Sequence, residues 1–348
     1  MSINDVIVEI DIERPASIEG LGTPLILQKS INQVHPYKEY KELTEIARDY
    51  SESSEVYKKA AFILNQGSSS PNKVAIASYG TEDEDDGEQQ QLSFSAKSIR
   101  TITDALEAYY YKGWHFLHLV NATSEETKTA GEFISRKDFK FLAVEATEFT
   151  ELAQLKGQHR TILFYHPVEE ELAAAALIGA VGSRLVGSVT YKFKKLEGIS
   201  PQDFDANDLK QIHEAGAIAY VTKAGDPQTS EGKTASGEFI DVLHGKDWVK
   251  ANLETRIQRN LAAAPKLPFG HDGISLIEMT ATDVLIEGSN NGIIAKDSDG
   301  IPMFEVNAFS REDAEPIDRA ERVYRGLSFN FDLAGAIHEV HVSGVIRT

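Results

Sequence analysis

One run of residues ends in the Gly-Lys-Thr triplet of many phosphate-binding loops, and it is the strongest candidate for chemistry in this sequence. It reads Pro227-Gln-Thr-Ser-Glu-Gly-Lys-Thr234. A phosphate loop needs glycine at its first position and a helix that starts at its final Gly-Lys-Thr. This chain has Pro227 at the first position, and the residues after Thr234 predict a strand at 237–242. We therefore expect no nucleotide binding at this run.

The other residue types that perform catalysis or bind metals are scattered or absent. His115 and His118, like His338 and His341, are three apart within predicted strands, so the two side chains of each pair point to opposite faces. The chain has no cysteine, which excludes disulfides and cysteine-ligated metals. It contains neither Gly-x-Ser-x-Gly nor Gly-x-Gly-x-x-Gly. The sequence thus predicts no catalytic, cofactor-binding or metal-binding residue, with a soluble α/β enzyme or binding module of unknown substrate as the alternative.

The charge balance bears on possible partners. The 348 residues include 35 Lys and Arg against 54 Asp and Glu, which gives a net charge of −19. Such a surface repels nucleic acid and anionic lipid, so neither is predicted as a main partner. No apolar run is long enough to span a bilayer, and the N-terminus lacks the features of a signal peptide. We expect no membrane insertion and no export through a signal peptide.

Both ends of the chain show the alternation of a strand. Val6, Val8, Ile10 and Ile12 share one face near the N-terminus, before a small-residue linker at 16–22. Val340, Val342 and Ile346 share a face near the C-terminus. Isolated strands are not stable, so each must pair with a sheet of its own chain or of a neighbour. The residues alone leave both possibilities open.

Between these ends, helical and strand patterns alternate. The spacing over residues 73–183 predicts a layered α/β domain with a largely parallel sheet. Residues 81–91 interrupt it with an acidic segment, which we interpret as a solvated loop. Further on, the pattern predicts a strand at 186–193, a helix capped by Asp205, and helices at 247–264 and 274–287. Near the C-terminus it indicates a charged, partly helical segment at 311–324 and strands at 328–333 and 337–346.

Several phrases of the sequence resemble contractile-tail sheath proteins of bacteriophages and phage-tail-like particles. The resemblance is strong from about residue 177 onward and loose before it. The matching phrases, in chain order, are Ser53-Ser-Glu-Val-Tyr57, Lys73-Val-Ala-Ile76, Leu177-Ile-Gly-Ala-Val-Gly182, Gly187-Ser-Val-Thr-Tyr-Lys192, Leu196-Glu-Gly-Ile-Ser200, Ala215-Gly-Ala-Ile-Ala-Tyr-Val221, Glu231-Gly-Lys-Thr-Ala-Ser-Gly-Glu-Phe-Ile-Asp-Val242, Asp247-Trp-Val-Lys250, Lys266-Leu-Pro-Phe269, Gly273-Ile274, Asn291-Gly-Ile-Ile294 and Leu333-Ala-Gly-Ala-Ile337.

The resemblance implies an α/β fold class, with an α+β core, shared terminal strands and an inserted α/β domain. The expected N-terminal arm is residues 1–22, which enters a neighbour. The expected core is residues 23–30 and 191–326, and the C-terminal strand or arm, residues 327–348, belongs to its sheet. Residues 31–190 form the outward-facing insertion.

The same resemblance implies a structural subunit rather than an enzyme. Sheath subunits polymerise as stacked hexameric rings around an inner tube and contract to drive it through the target envelope. The expected partners are other copies of the chain, the tail tube protein, and the baseplate and tail terminator proteins. The expected location is the tail of a virion or phage-tail-like particle, assembled in the host cytoplasm.

Two further sets of residues follow from this expectation. Positive residues in an acidic chain are candidates to face an acidic tube, and three cations spaced by three share a helix face. These candidates are Lys250, Arg256, Arg259, Arg319, Arg322 and Arg325. The candidate hinges for contraction are the glycines Gly20, Gly22, Gly326 and Gly335.

Overall fold

Runs of buried apolar residues form the central strands of a seven-stranded sheet. The structure is a computed structural model that describes residues 21–30, 34–80, 99–182 and 184–344. Two compact units divide between Lys266 and Leu267. Within the described ranges, no helix combines the length and apolar character needed to cross a membrane.

The first unit holds most of the regular structure. Its elements in chain order are β1 (Pro24–Ser30), β2 (Lys38–Tyr40), α1 (Leu43–Ile46), α2 (Glu55–Leu64), a 3₁₀ turn (Gly67–Ser69), β3 (Val74–Gly80), α3 (Ile102–Tyr109), β4 (Phe116–Val120), α4 (Ser124–Lys137), β5 (Phe141–Ala146), α5 (Phe149–Leu155), β6 (Thr161–Tyr165), α6 (Ala173–Val181), α7 (Ala206–Glu214), β7 (Ala217–Ile218), β8 (Tyr220–Lys223), β9 (Asp226–Thr229) and α8 (Ile240–Ala263).

The strand order in the large sheet is β2-β3-β1-β4-β5-β6-β7. Every neighbouring pair is parallel except β2 and β3. Successive residues of β1 enter different cores, because Leu25 and Leu27 pack with α3 and α4 while Ile26 packs with α2. A sheet covered on both faces has apolar residues at every position of its strands, which is why these segments read as continuous apolar runs. The predicted α/β class is confirmed.

Small residues let α6 lie close to α2. The first four residues of α6 are all alanine and fully buried. A Cβ built on Gly179 would lie 2.4 Å from the carbonyl oxygen of Ile63 in α2, so no larger residue fits at this crossing. The alanine-rich composition of α6 therefore reflects close helix packing.

The structure groups the chain differently from the predicted core and insertion. The sequence predicts that residues 23–30 belong with 191–326, yet β1 lies between β3 and β4 in the sheet of the predicted insertion. The reason is burial, since β1 is covered by helices on both faces and cannot form a separate layer. The outward orientation of residues 31–190 stays a prediction.

Three predicted strands differ from the structure, whereas one predicted helix cap agrees with it. Residues 186–193 form no strand, because Gly187 and Phe193 adopt positive φ angles of 91° and 64° that interrupt an extended backbone. Residues 237–242 contain a turn at Gly237 followed by the start of α8. No strand forms over the described part of 337–346. Asp205 caps α7 as predicted.

The second unit is smaller. It contains α9 (His271–Asn290), β10 (Phe304–Ala308), α10 (Pro316–Glu321) and β11 (Leu327–Phe331). The two strands pair antiparallel, with Phe304 opposite Phe331 and Ala308 opposite Leu327. The predicted strand at 328–333 is thus confirmed as β11.

Candidate assembly surfaces and the buried polar network

The antiparallel hairpin of β10 and β11 has one apolar and one polar face. Phe304, Val306, Phe329 and Phe331 are half-buried, while the polar residues between them are exposed. Each strand has a single strand neighbour within the described residues. A two-stranded sheet is marginal alone, and an unpaired strand edge is a template for another strand.

The segment that follows β11 carries apolar side chains in solvent. Ile337, Val340 and Val342 are 80%, 71% and 89% exposed. Backbone hydrogen bonds hold the start of this segment, where the amide of Asp332 donates to the carbonyl of Met303 at 3.0 Å and the amide of Ala334 donates to the carbonyl of Ile293 at 2.9 Å. Exposed aliphatic residues grouped in one segment mark an interaction surface. Ile346 and the N-terminal positions Val6, Val8, Ile10 and Ile12 lie outside the described residues.

The first half of α8 is tied to the sheet by a buried ion network. Asp247 is 1% exposed, and its Oδ2 accepts from His115 Nε2 at 3.0 Å and from Arg160 Nη1 at 2.5 Å. Arg160 also donates from Nε to Asp138 Oδ1 at 2.8 Å. Desolvation, with the charges of Lys140 and Arg160, holds the pKa of His115 well below its ordinary value. His115 is therefore neutral and carries its proton on Nε2, facing Asp247.

A histidine of α8, His244, contacts the end of the predicted N-terminal arm at Leu21. His244 Nε2 lies 2.7 Å from the carbonyl oxygen of Leu21, and Nδ1 lies 3.2 Å from the hydroxyl of Tyr191. A carbonyl only accepts, so Nε2 must donate and Nδ1 must accept from Tyr191. Burial is the largest cause that lowers the pKa of His244, to about 3. The contact fixes the point at which the N-terminal segment joins the first unit.

The sequence pattern missed this network for a physical reason. It predicted a helix from residue 247 with Asp247 near its start, whereas α8 begins at Ile240 and is buried on nearly all sides from Leu243 to Glu254. Periodicity identifies an inward face only when the opposite face is in water. Asp247, Lys250 and Glu254 share one helix face by their spacing, so they read as a solvent-facing polar stripe, and no local signal reveals that the structure buries them.

Neither candidate for small-molecule chemistry gains support from its geometry. The phosphate-loop-like run begins within β9 (Asp226–Thr229), and the next helix along the chain starts at Ile240, beyond the end of the run. A cleft of about 250 Å³ is lined by Pro201, Gln202, Asp203, Phe204, Leu209, Val221, Thr222 and Lys223. This lining holds one carboxylate and one ammonium group without a nucleophile–base pair.

The comparisons with known proteins agree on one class. Residues 240–346 match the family model described as the E217 tail sheath protein gp31-like C-terminal domain. The chain has the fold of contractile sheath proteins. No curated protein matches the chain by sequence.

Solved structures extend this likeness over the whole chain. A chain of the anti-feeding prophage (AFP) baseplate, 6-fold symmetrised, has a TM-score of 0.70 at 10% identity, with 100% of each chain covered. The AFP helical sheath in the contracted state has a TM-score of 0.69 at 9% identity and covers 99% of each chain. The PVC sheath complex of an extracellular contractile injection system, also contracted, has 0.66 at 10%, covering 98% of this chain and 96% of the other. The predicted resemblance to contractile sheath proteins is confirmed.

Within this sheath fold, the first set of predicted tube-facing residues is only partly available. Lys250 is 1% exposed and pairs with Glu254 at 3.1 Å, so the prediction for Lys250 is wrong. Its position on a helix buried all round explains the error. Arg256 is half-buried and donates to Asn252 Oδ1 at 3.0 Å. Arg259 is exposed, and a tube contact through it stays a prediction.

The second set does not form the predicted stripe. The helix α10 ends at Glu321, and Arg322 adopts a left-handed φ of 60° that turns the chain away. Arg325 lies beyond the helix and pairs with Asp318, while Arg319 donates to the carbonyl of Arg311 at 2.9 Å. These three arginines therefore do not share a helix face, although each remains a candidate contact by itself.

The predicted hinge glycines have different surroundings. A Cβ on Gly22 would lie 2.1 Å from the carbonyl oxygen of Gly182, and one on Gly326 would lie 2.8 Å from Cβ of Phe309. Close packing thus accounts for glycine at both positions. Gly335 has a φ of 62° and open space around it, which suits a hinge. Gly20 lies outside the described residues.

Proposed function

We propose that this chain is a structural subunit of a contractile tail sheath. It polymerises as stacked hexameric rings around an inner tube, and contraction of the assembly drives the tube through the target cell envelope. In this role the chain acts through its surfaces and needs no catalytic residue. The particle is a virion tail or a phage-tail-like device.

The observation that carries this proposal is that the residues matched by the sheath family model include a two-stranded sheet with unpaired strand edges. The match over residues 240–346 includes the whole hairpin of β10 and β11 and the exposed segment after it. Val340 and Val342 expose most of their surface in the single chain. Burying such side chains stabilises association by about 1.5–3 kcal/mol each. A strand from another copy would pair with the hairpin and bury this segment.

The other partners follow from the same role. Chains of similar structure belong to a 6-fold symmetrised baseplate and to a helical sheath in the contracted state. We therefore expect contacts with a tail tube protein, a baseplate and a tail terminator, in addition to other copies. Nucleic acid is not an expected partner, because the net charge of −19 opposes it.

Negative-stain microscopy of the purified full chain, alone and with its tube protein, tests the proposal. The parent chain should form rings or striated tubes. The Val340→Asp, Val342→Asp double variant should stay monomeric with an unchanged unfolding temperature, because these residues make no core contacts. Deletion of residues 1–14 should have the same effect.

A matched control introduces the same two aspartates at exposed lysines of the first unit, as Lys128→Asp with Lys210→Asp. This control should assemble like the parent. A parent chain that stays monomeric even with its tube protein would contradict the proposal, and so would a Val340→Asp, Val342→Asp variant that forms normal tubes.

A further inference from the structure

A cluster of lysines stands out on the first unit of this acidic protein. Lys192 belongs to a segment that runs beside β9, where the amide of Phe193 donates to the carbonyl of Thr229 at 3.1 Å. Lys223 ends β8, which pairs with β9. Lys233 follows Gly232, whose Cβ position would lie 2.8 Å from the amide nitrogen of Lys192. The chain path thus brings three lysines to one surface.

The electrostatics confirm that these charges lie near one another. Burial lowers the pKa of His213, Glu231 raises it, and the charges of Lys223, Lys192 and Lys233 lower it further. Lys223 has its own pKa lowered by burial and then by Lys192. The cluster therefore contains cations that repel one another, and a bound anion would reduce this repulsion.

Two exposed aromatic rings accompany the lysines. Phe193 is 45% exposed and Phe239 is 38% exposed. Lys192 Nζ lies 5.3 Å from the ring centroid of Phe193, and Lys233 Nζ lies 4.8 Å from that of Phe239. Phe193 also holds a φ of 64°, a left-handed conformation that bulky residues rarely adopt. Such strain is typical of functional surfaces. The basic–aromatic patch is Lys192, Phe193, Lys223, Lys233 and Phe239.

Acidic residues also lie near these lysines. Glu231 is the carboxylate whose field reaches both His213 and Lys223. Asp226 faces Lys223 across the β8–β9 pairing. On the other side, Arg184 and Asp241 act on Lys194, which adds two further cations and one acid. Asp203 lines the same cleft as Lys223, and Glu238 directly precedes Phe239. The patch is thus a local cluster of cations with acidic neighbours, in a chain whose net charge is −19.

We propose that the basic–aromatic patch docks the acidic segment, residues 82–88, of a second copy of this chain. Six of the seven residues in that segment are Asp or Glu. Complementary charges of this density steer association and fix its register. The contact needs only two copies in solution, so it does not depend on the sheath assembly proposed above.

Geometry favours a second copy over the segment of the same chain. The segment begins two residues after Gly80, the last residue of β3, and β3 is five strand spacings from β7 at the far edge of the sheet. Neighbouring strands are about 4.8 Å apart, so this distance is roughly 24 Å. An extended chain covers at most about 3.5 Å per residue, so Glu82 reaches about 7 Å and Asp85 about 17 Å from Gly80. Most of the acids therefore cannot reach a patch next to β8 and β9 of their own chain.

A peptide-binding measurement tests this contact. The probe is a fluorescent peptide of residues 81–91, titrated by anisotropy with the full chain whose six acids at 82–88 are replaced by their amides. That change keeps the patch of every copy open to the probe. The Lys192→Glu, Lys223→Glu, Lys233→Glu variant should weaken binding by at least about tenfold at low salt, and the parent affinity should fall as salt is added.

A control with the same change of charge is available on the same unit. Lys58, Lys128 and Lys210 are exposed helix lysines, and their triple replacement by Glu should leave the affinity within about twofold. A peptide with lysine at the six acidic positions should bind the Lys192→Glu, Lys223→Glu, Lys233→Glu variant better than it binds the control variant with Glu at 58, 128 and 210. If the reversed patch does not fold, the triple Lys→Gln variant serves in its place and should lose binding in the same direction.

Equal effects of the two triple variants would overturn the proposal, as would a parent chain that does not bind the peptide. The aromatic residues provide a separate readout. Phe193→Ala should weaken binding severalfold and leave its dependence on salt unchanged, because this change removes a ring and no charge. These outcomes do not depend on whether the chain forms sheaths.

Discussion

Asp247 has the most consequential side chain of the first unit. It joins α8 to β4 through His115 and to Arg160, all of which are buried. We predict that Asp247→Ala lowers the free energy of unfolding by about 3–5 kcal/mol, because it leaves the Arg160 charge buried with only Asp138 to compensate it. Urea unfolding of the full chain measures this loss. Asp226→Asn, at an exposed position, is the control, and a loss below about 1 kcal/mol at Asp247 would contradict the prediction.

His118 makes the stability depend on pH at the residue scale. It is fully buried on β4 opposite Ile26 and Ala143, and neither ring nitrogen has a hydrogen-bond partner within the described residues. Burial is the largest cause that lowers its pKa, to about 3, and Lys59 lowers it while Glu145 raises it. Between pH 6.5 and 3 the unfolded chain therefore binds a proton that the folded chain does not. Stability must fall as the pH falls through this window, by up to about 4 kcal/mol.

The substitution His118→Leu should reduce this acid sensitivity. The free energy of unfolding of the variant should change less between pH 6.5 and 4 than that of the parent, although His115 and His244 still contribute. Denaturant unfolding at a series of pH values measures the slope. His341→Leu, at a highly exposed position, should leave the slope unchanged. An identical slope for the parent and His118→Leu would show that His118 is not the titrating group.

At the scale of elements, the contact between Gly22 and Gly182 fixes where β1 begins relative to the end of α6. We predict that Gly22→Ala destabilises the folded chain by about 1–3 kcal/mol, because its Cβ would lie 2.1 Å from a backbone oxygen that cannot move aside. Gly344→Ala is the control, because a Cβ there meets open space. Thermal unfolding of both variants separates the two cases. Equal unfolding temperatures would contradict this prediction and would agree with Gly22 as one of the hinge residues predicted from the sequence.

At the scale of the whole molecule, contraction should require no nucleotide. The run at residues 227–234 contains the end of β9, and the next helix begins only at Ile240, so the run does not form a phosphate loop. Work must then come from free energy stored at assembly in bistable interfaces between subunits. Acid, heat or denaturant should shorten intact particles in buffer treated to remove nucleotides, as measured by electron microscopy. Particles that shorten only when ATP is added would contradict this prediction.

The fold class, the sheath resemblance and most central strands of the sheet could be predicted from the sequence. Apolar runs such as Val74–Gly80 and caps such as Asp205 are local signals, so they could be recognised without knowledge of the neighbours. The alternation at residues 340 and 342 predicted a strand, which the described residues up to 344 do not form in the single chain. Val340 and Val342 are exposed there, and their pairing with a neighbouring copy stays a prediction.

The burial of polar residues and the pairing of distant segments in one sheet depend on contacts that the sequence pattern does not show. Asp247 and Lys250 look like solvent-facing residues in the sequence, because nothing local indicates that α8 is covered on nearly all sides. β1 lies inside the sheet because β3 pairs with one of its edges and β4 pairs with the other. Both pairings join segments that are far apart in the chain. The basic–aromatic patch likewise combines residues from 192 to 239 through the pairing of β8 with β9. Short periodicities report the surface of one element, whereas these features depend on contacts between several.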